Sequence, residues 1–163
     1  MKVAIVGAQM SKWETSEQIE EAKRFISSIL LAYTVMYGEV ILVSGGCHKG
    51  GVDIWAEEAA DKLGIDKIIF PAPAHQWKDI LSPIPDGHLR PLKGCYIDGD
   101  FYVKRGYRSR NLQIASECDV IWCINPKGKR SGGSWTLKKA VEMGKRGYLV
   151  TVSRTGHVRA REH

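Results

Sequence analysis

Gly45, Gly46, Gly50 and Gly51 fall within seven positions of the segment VSGGCHKGGVDIWAEEAA, Val43 to Ala60. Each glycine costs backbone entropy on folding. The cluster therefore marks a tight turn or a backbone that must come close to a ligand. An alanine- and glutamate-rich segment of helical character follows it. A second pair, Gly132 and Gly133, stands in PKGKRSGGSWT, again ahead of a helical segment. A helix N-terminus offers unpaired N–H groups and the positive end of the helix dipole. Glycines beside it let a phosphate approach those groups. Ser134 and Thr136 add hydroxyls to the second loop. Each Gly-Gly pair also reads as a plain strand-to-helix turn. Two such loops after strands of one parallel sheet favour phosphate binding.

Other residues join these loops. Asp53 stands at the start of the helix after the first glycine cluster. It serves there either as a cap and dipole partner or as an acceptor for a ribose hydroxyl. Arg110 and Asn111 lie in a later helix, with Arg105 and Arg108 nearby. The planar guanidinium fork donates two bonds to a phosphate at once, and a solvated basic face is the other use. Trp55 and Trp135 each follow a glycine loop, placed either to stack on a base or to fill a core. The four cysteines, Cys47, Cys95, Cys118 and Cys123, form no C-x-x-C pair, so free thiols are expected and no metal site. Cys47, in the glycine loop, is the candidate reactive thiol. The first strand runs into VGAQMS and not G-x-G-x-x-G, and no G-x-x-x-x-G-K-[ST] occurs. Those absences argue against a dinucleotide fingerprint and a P-loop ATPase.

The elements that must position these residues follow from periodicity. KVAIVG, EVILVS, DKIIFPA, DVIWCIN and YLVTVS are near-continuous apolar runs that read as buried strands. Between them lie helical patterns. The first begins with Thr15 and Gln18 spaced as a capping box, carries Ile19, Ala22, Ile26, Ile29, Leu30 and Tyr33, and stops at Gly38. The second spans about Val52 to Leu63, with Ala56, Ala59 and Leu63 on one face and Gly64 after it. The third is RGYRSRNLQIASEC and the fourth WTLKKAVEMGKR. Residues 71–104 carry five prolines and little periodicity, and are expected to form a long insertion-like loop with a short helix near Gln76–Leu81. A basic tail, RTGHVRAREH, is expected to be mobile.

Strands alternating with helices imply an α/β fold, a doubly wound parallel sheet in a Rossmann-like three-layer α/β/α arrangement, with strand order 3-2-1-4-5. The length of 163 residues suits one domain spanning 1–163. Ligands of such sheets bind beyond the carboxyl ends of the strands. The loops meeting there supply Gly7, Ala8 and Gln9, then Ser44, Gly45, Gly46, Gly51 and Asp53, then Arg110 and Asn111, then Gly132, Gly133, Ser134 and Thr136. On this reading, Gly133→Val removes phosphate binding and leaves the fold intact. The formal charge of +6 favours anionic partners, either nucleotide phosphate or nucleic acid. No apolar run reaches a membrane span of about 20 residues, and MKVAIVGAQM lacks the form of a secretory signal. A cytoplasmic location is expected.

VSGGCHKGGVDIWAEEAA resembles the SGG-x-x-G-x-D-x-x-A-E segment of the SLOG superfamily, which includes the Lonely Guy phosphoribohydrolases, often mislabelled lysine decarboxylases, and DNA-processing protein A. RNLQIASECDVIWCI followed by SGGSWTLKKA is similar to the second half of that pattern. The resemblance implies a nucleotide-binding site and a homo-oligomer, with no cofactor beyond the nucleotide ligand. In the hydrolases a glutamate and the arginine of the preceding helix work on the N-glycosidic bond. Arg110 matches the arginine position, but Lys139 stands at the glutamate position and Trp135 at the second motif glycine. Asp53 or Glu142 would have to supply the missing carboxylate. The expected function is therefore binding of a nucleoside phosphate or related derivative. The alternatives are a phosphoribohydrolase with a displaced carboxylate, with Arg110, Asp53 and Glu142 as catalytic candidates, and a single-stranded nucleic-acid binder using tyrosine and tryptophan platforms.

Overall fold

The structure is a computed structural model that describes residues 1–72, 80–83, 94–97 and 100–163, with side chains for 1–72 and 106–163. Its main sheet is built on β1 (Lys2–Gly7), whose side chains alternate between two faces. Val3 and Ile5 enter one apolar cluster, and Ala4 and Val6 the other. Around it stand β2 (Ile41–Ser44), β3 (Asp66–Ile69), β7 (Val120–Pro126), β8 (Arg146–Val152) and β9 (Val158–Glu162), in the order β3-β2-β1-β7-β8-β9. The first five are parallel, in the expected order 3-2-1-4-5. The sixth was expected to be a mobile tail and is instead an antiparallel edge strand, Leu149 opposite Arg161 and Val152 opposite Val158. A turn closed by Ser153 N–H to His157 O at 2.9 Å, with Gly156 at φ 78°, returns the chain. Charged residues at alternate positions suit an edge strand, because they oppose further pairing.

Helices cover both faces. α1 (Ser16–Tyr37) and α2 (Val52–Leu63) pack on one side through Ile26, Leu30, Ala56 and Ala60. α3 (Tyr107–Glu117) and α4 (Gly132–Glu142) cover the other through Ile114, Ala115, Leu137 and Ala140. The result is a three-layer α/β/α, Rossmann-like architecture. Thr15 caps α1 by accepting from Gln18 N–H at 3.2 Å, while the Gln18 carboxamide accepts from Glu14 N–H and donates to Val152 O. Gly38, at φ 73°, ends the helix. Leu63, expected to face inward with Ala56 and Ala59, is exposed at the last turn of α2; Trp55 fills the core instead, edge-on to Trp13 at 5.1 Å. No helix among the described residues is long and apolar enough to cross a membrane.

The segment expected to be a long insertion-like loop with a short helix contains a second sheet. β4 (Ile80–Pro83), β5 (Gly94–Ile97) and β6 (Asp100–Arg105) pair antiparallel in the order β4-β6-β5. Ile80 and Leu81, at the end of the expected short helix, lie on β4; Gln76 to Asp79 fall outside the described residues. Pro83 is tolerated because β4 is an edge strand. Ile97 is paired with Asp100.

Candidate functional site

Three loops converge at the carboxyl edge of the main sheet, as the switch-point rule requires. They enclose a cavity of about 180 Å3. The chain leaving β1 contributes Gly7, Ala8, Gln9 and Lys12; the glycine loop and the start of α2 contribute Cys47, Lys49, Gly50 and Asp53. The first turns of α3 and α4 supply Tyr107, Arg110, Asn111, Ser131, Gly132, Gly133 and Thr136, and Val6 and Ile114 form apolar wall.

The loops are tied to one another by backbone. Met10 N–H donates to Gly50 O at 3.3 Å and Val52 N–H to Ala8 O at 3.2 Å. Gly51, at φ 97°, makes this approach possible, because a Cβ there would stand 2.4 Å from Ala8 O. Gly45 makes room for a side chain: a Cβ on it would lie 2.1 Å from Arg110 Nη1. The glycine cluster thus serves close approach within the protein. Gly45, Gly46 and Gly51 do not line the cavity, and neither does Ser44, whose hydroxyl donates to Glu57 at 2.6 Å. These four positions of the expected binding set lie outside the cavity lining.

Arg110 is only 7% exposed. Its Nε donates to Asn111 Oδ1 at 2.8 Å, and its Nη1 donates to Gly45 O and, at 3.5 Å, to Phe70 O. The guanidinium therefore links α3 to the ends of β2 and β3. Asp53 Oδ2 lies 3.9 Å from Nη1. None of the described residues accepts a hydrogen bond from Nη2. Tyr107, one turn earlier on the same face of α3, places its ring 5.5 Å from the guanidinium carbon.

Asp53 is equally buried, and the backbone N–H groups of Cys47 and Gly7 near its carboxylate favour the ionised form. Burial is the largest influence on its acidity and, with Glu57 nearby, pushes the carboxyl up to about 6 despite Arg110 and the two N–H groups. Burial also pushes the Cys47 thiol above its ordinary range, which disfavours the thiolate that a reactive cysteine needs.

α4 begins at Gly132, three residues before the start that periodicity suggests, so Gly132 and Gly133 form its first turn. Ser131 is the N-cap. Its hydroxyl donates to Asn125 Oδ1 at 2.7 Å, and Asn125 Nδ2 donates to Ser134 Oγ at 3.0 Å. Ser134 is thereby turned toward the sheet and away from the cavity. Thr136 does line the cavity, but its hydroxyl donates to Gly132 O at 3.1 Å. The N–H groups of Gly132 and Gly133 find no acceptor among the described residues, as expected of a helix start facing a cavity.

Of the expected binding residues, Gly7, Ala8, Gln9, Asp53, Arg110, Asn111, Gly132, Gly133 and Thr136 surround the cavity. Glu142 does not: it lies at the far end of α4, ion-paired with Lys139 at 2.5 Å. Lys139 is likewise outside, its ammonium 5.8 Å from the Trp135 ring. Trp55 is buried in the core and offers no face to a base. Lys12, Lys49 and Tyr107 were not anticipated. Lys12 and Lys49 lie on two of the loops the switch-point rule selects, and Tyr107 sits three residues before Arg110.

No protein-family model matches the chain, and no curated protein matches it. The fold and the cavity define a Rossmann-like α/β protein with a basic pocket at the sheet's switch point.

Proposed function

We propose that this cavity binds the phosphate of a nucleoside phosphate or related nucleotide derivative, as the SLOG-like motifs imply. The observation that carries the proposal is Arg110, a buried cation on the cavity wall whose Nη2 has no acceptor among the described residues. A buried donor left without a partner is costly, and an anion in the cavity would satisfy it. The free amides of Gly132 and Gly133 supply further donors, and Lys12 and Lys49 raise the positive potential. The volume is below the roughly 300–1,000 Å3 of pockets that enclose a whole small molecule. It fits the phosphate end of a nucleotide, with the base at the mouth beside Tyr107.

The test is a melting-temperature screen, since a ligand of the native state raises the melting point. Nucleoside monophosphates are expected to stabilise the protein and the matching nucleosides are not. In titrations, Arg110→Lys is expected to weaken the best nucleotide about tenfold or more, because a point charge replaces a fixed fork. Arg161→Ala, on the exposed edge strand β9, should change little. Equal losses, or affinity that collapses with salt for single-stranded DNA but is absent for nucleotides, would transfer the site to diffuse nucleic-acid binding.

One observation favours hydrolysis as a second reading. Asp53 is the single carboxylate lining the cavity among the described residues, and its acidity, at about 6, suits a general acid or base. If the protein is a phosphoribohydrolase, free base is released from nucleoside monophosphates and Asp53→Asn stops it. Binding without release of base leaves the protein a nucleotide binder.

A further inference from the structure

Arg110 does not face the cavity alone. Asp53 lines the same space of about 180 Å3, both residues are only 7% exposed, and Asp53 Oδ2 stands 3.9 Å from Arg110 Nη1. That separation makes an ion pair without a direct hydrogen bond. While Asp53 is ionised, it cancels the arginine's charge where an anion would arrive. It also sets a carboxylate, which only accepts hydrogen bonds, before the oxygens of a fully ionised phosphate, which only accept as well. Two such groups repel strongly in a buried site of low dielectric. A single proton removes the conflict, because a neutral carboxyl donates its O–H. Two acidic groups that share a site hold one proton for the same reason. A phosphate monoester keeps its second proton up to about pH 6, so either partner can bring it.

We propose that the cavity takes its phosphate together with one proton, held between the Asp53 carboxyl and a phosphate oxygen, so that Asp53 admits the anion when neutral and repels it when ionised. This rests on the phosphate binding proposed above and adds the protonation state in which the anion is held. The surroundings of Asp53 support it. Burial first, and Glu57 one turn further along α2, raise the carboxyl against Arg110 to about 6, and an anion beside it would raise it again. Glu57 itself accepts from the Ser44 hydroxyl and lies outside the cavity lining. Cys47 on the glycine loop, Tyr107 on α3 and Cys123 on β7 are all pushed up by burial, so they stay neutral near and below pH 8. Lys12 and Lys49 are the remaining charged groups of the wall. Histidine titrates in the same range as Asp53, and His48 Nδ1 lies 3.5 Å from the Tyr107 hydroxyl. His48 is therefore the residue whose titration must be separated from that of Asp53.

Inorganic sulfate is the discriminating probe. It carries no proton near neutral pH, so any proton taken up on binding goes to the protein. Its affinity for wild type, measured by calorimetry, should fall by about tenfold or more between about pH 5 and about pH 8. Titrations near pH 8 in buffers of different ionisation enthalpy should show about one proton taken up per sulfate. His48→Gln should keep both results. Asp53→Asn offers an amide donor and cannot titrate. It should bind sulfate about equally at the two pH values, and more tightly than wild type near pH 8. Its melting temperature reports whether it folds, and the wild-type proton uptake decides the matter without it. Inorganic phosphate should follow the same pattern. Sulfate affinity independent of pH, binding without proton uptake, or a pH dependence that survives in Asp53→Asn or vanishes in His48→Gln would each overturn this inference and leave phosphate binding in place. Binding of neither sulfate nor phosphate at any pH would overturn the phosphate site itself.

Discussion

Arg110→Ala is expected to destabilise the protein by about 3–5 kcal/mol near pH 8, because removing one partner strands the other charge in the interior. Asp53 would lose its cation, and the carbonyls of Gly45 and Phe70 would lose their donor. The loss depends on pH in a defined direction. The folded-state acidity of Asp53 is raised from 3.8 to about 6. Its proton therefore favours the folded state, a contribution fully present below 3.8 and lost as pH rises through about 6. Without Arg110 the folded-state value rises further. Below both values the carboxyl is neutral in wild type and mutant alike, and the charge penalty vanishes. The mutant should approach wild type near pH 5 and fall progressively behind it toward pH 8. Denaturant titrations at both pH values measure the difference. A destabilisation that is the same at both would show that Asp53 does not sense Arg110.

The parts of this molecule that were legible in its sequence are those where one physical signal dominates. Strands buried on both faces read as continuous apolar runs, so β1, β2, β7 and β8 stand out, and right-handed crossovers then fix their order. β9 did not stand out because an edge strand needs no apolar run; VRARE reads as a charged tail until a partner strand is seen beside it. The second sheet was hidden for a related reason. Its prolines and glycines look like loop, and the informative signal was the short Asp98-Gly99 between two stretches rich in aromatic and β-branched residues. The start of α4 was placed too late because periodicity cannot see a first turn made of glycine, whereas Ser131 with Ser134 three residues on carried the N-terminal signature.

The candidate cavity was half legible. Glycine-rich loops at strand ends pointed to the sheet edge where it lies, and Arg110, Asn111 and Asp53 do meet there. What each glycine does was not legible, because close approach to a ligand and close approach to the protein's own backbone ask the same thing of a residue. Gly45 yields space to the Arg110 guanidinium and Gly51 to the chain after β1. Asp53 was read as either a cap or a ribose contact; in the structure it is buried 3.9 Å from Arg110 Nη1, a long-range pairing that sequence spacing does not encode.

Gly133 shows the consequence most directly. Its position beside the cavity suggests that Gly133→Val would block ligand and spare the fold. The structure predicts otherwise. A Cβ on Gly133 would lie 2.7 Å from Gly7 N and 2.8 Å from Gly7 Cα, the backbone at the end of β1. Neither atom belongs to a side chain that can swing away, so α4 must move off the sheet. Gly7 cannot yield in return, since its own Cβ position is 2.0 Å from Ile124 O on β7. Helix propensity favours the substitution slightly: even alanine gains only about 1 kcal/mol over glycine in a helix. Overpacking of a tight site costs about 1–3 kcal/mol, and more where backbone must shift. Gly133→Ala is therefore expected to lower the melting temperature by roughly 2–8 °C, and Gly133→Val by more. Gly144→Ala is the control, because a Cβ there meets nothing within 4 Å and its cost comes only from φ 80°. The displaced helix start also carries the amides of Gly132 and Gly133, so on the function proposed above nucleotide affinity should fall together with stability. A Gly133→Val protein that melts like wild type would show that α4 and β1 are not held in this contact.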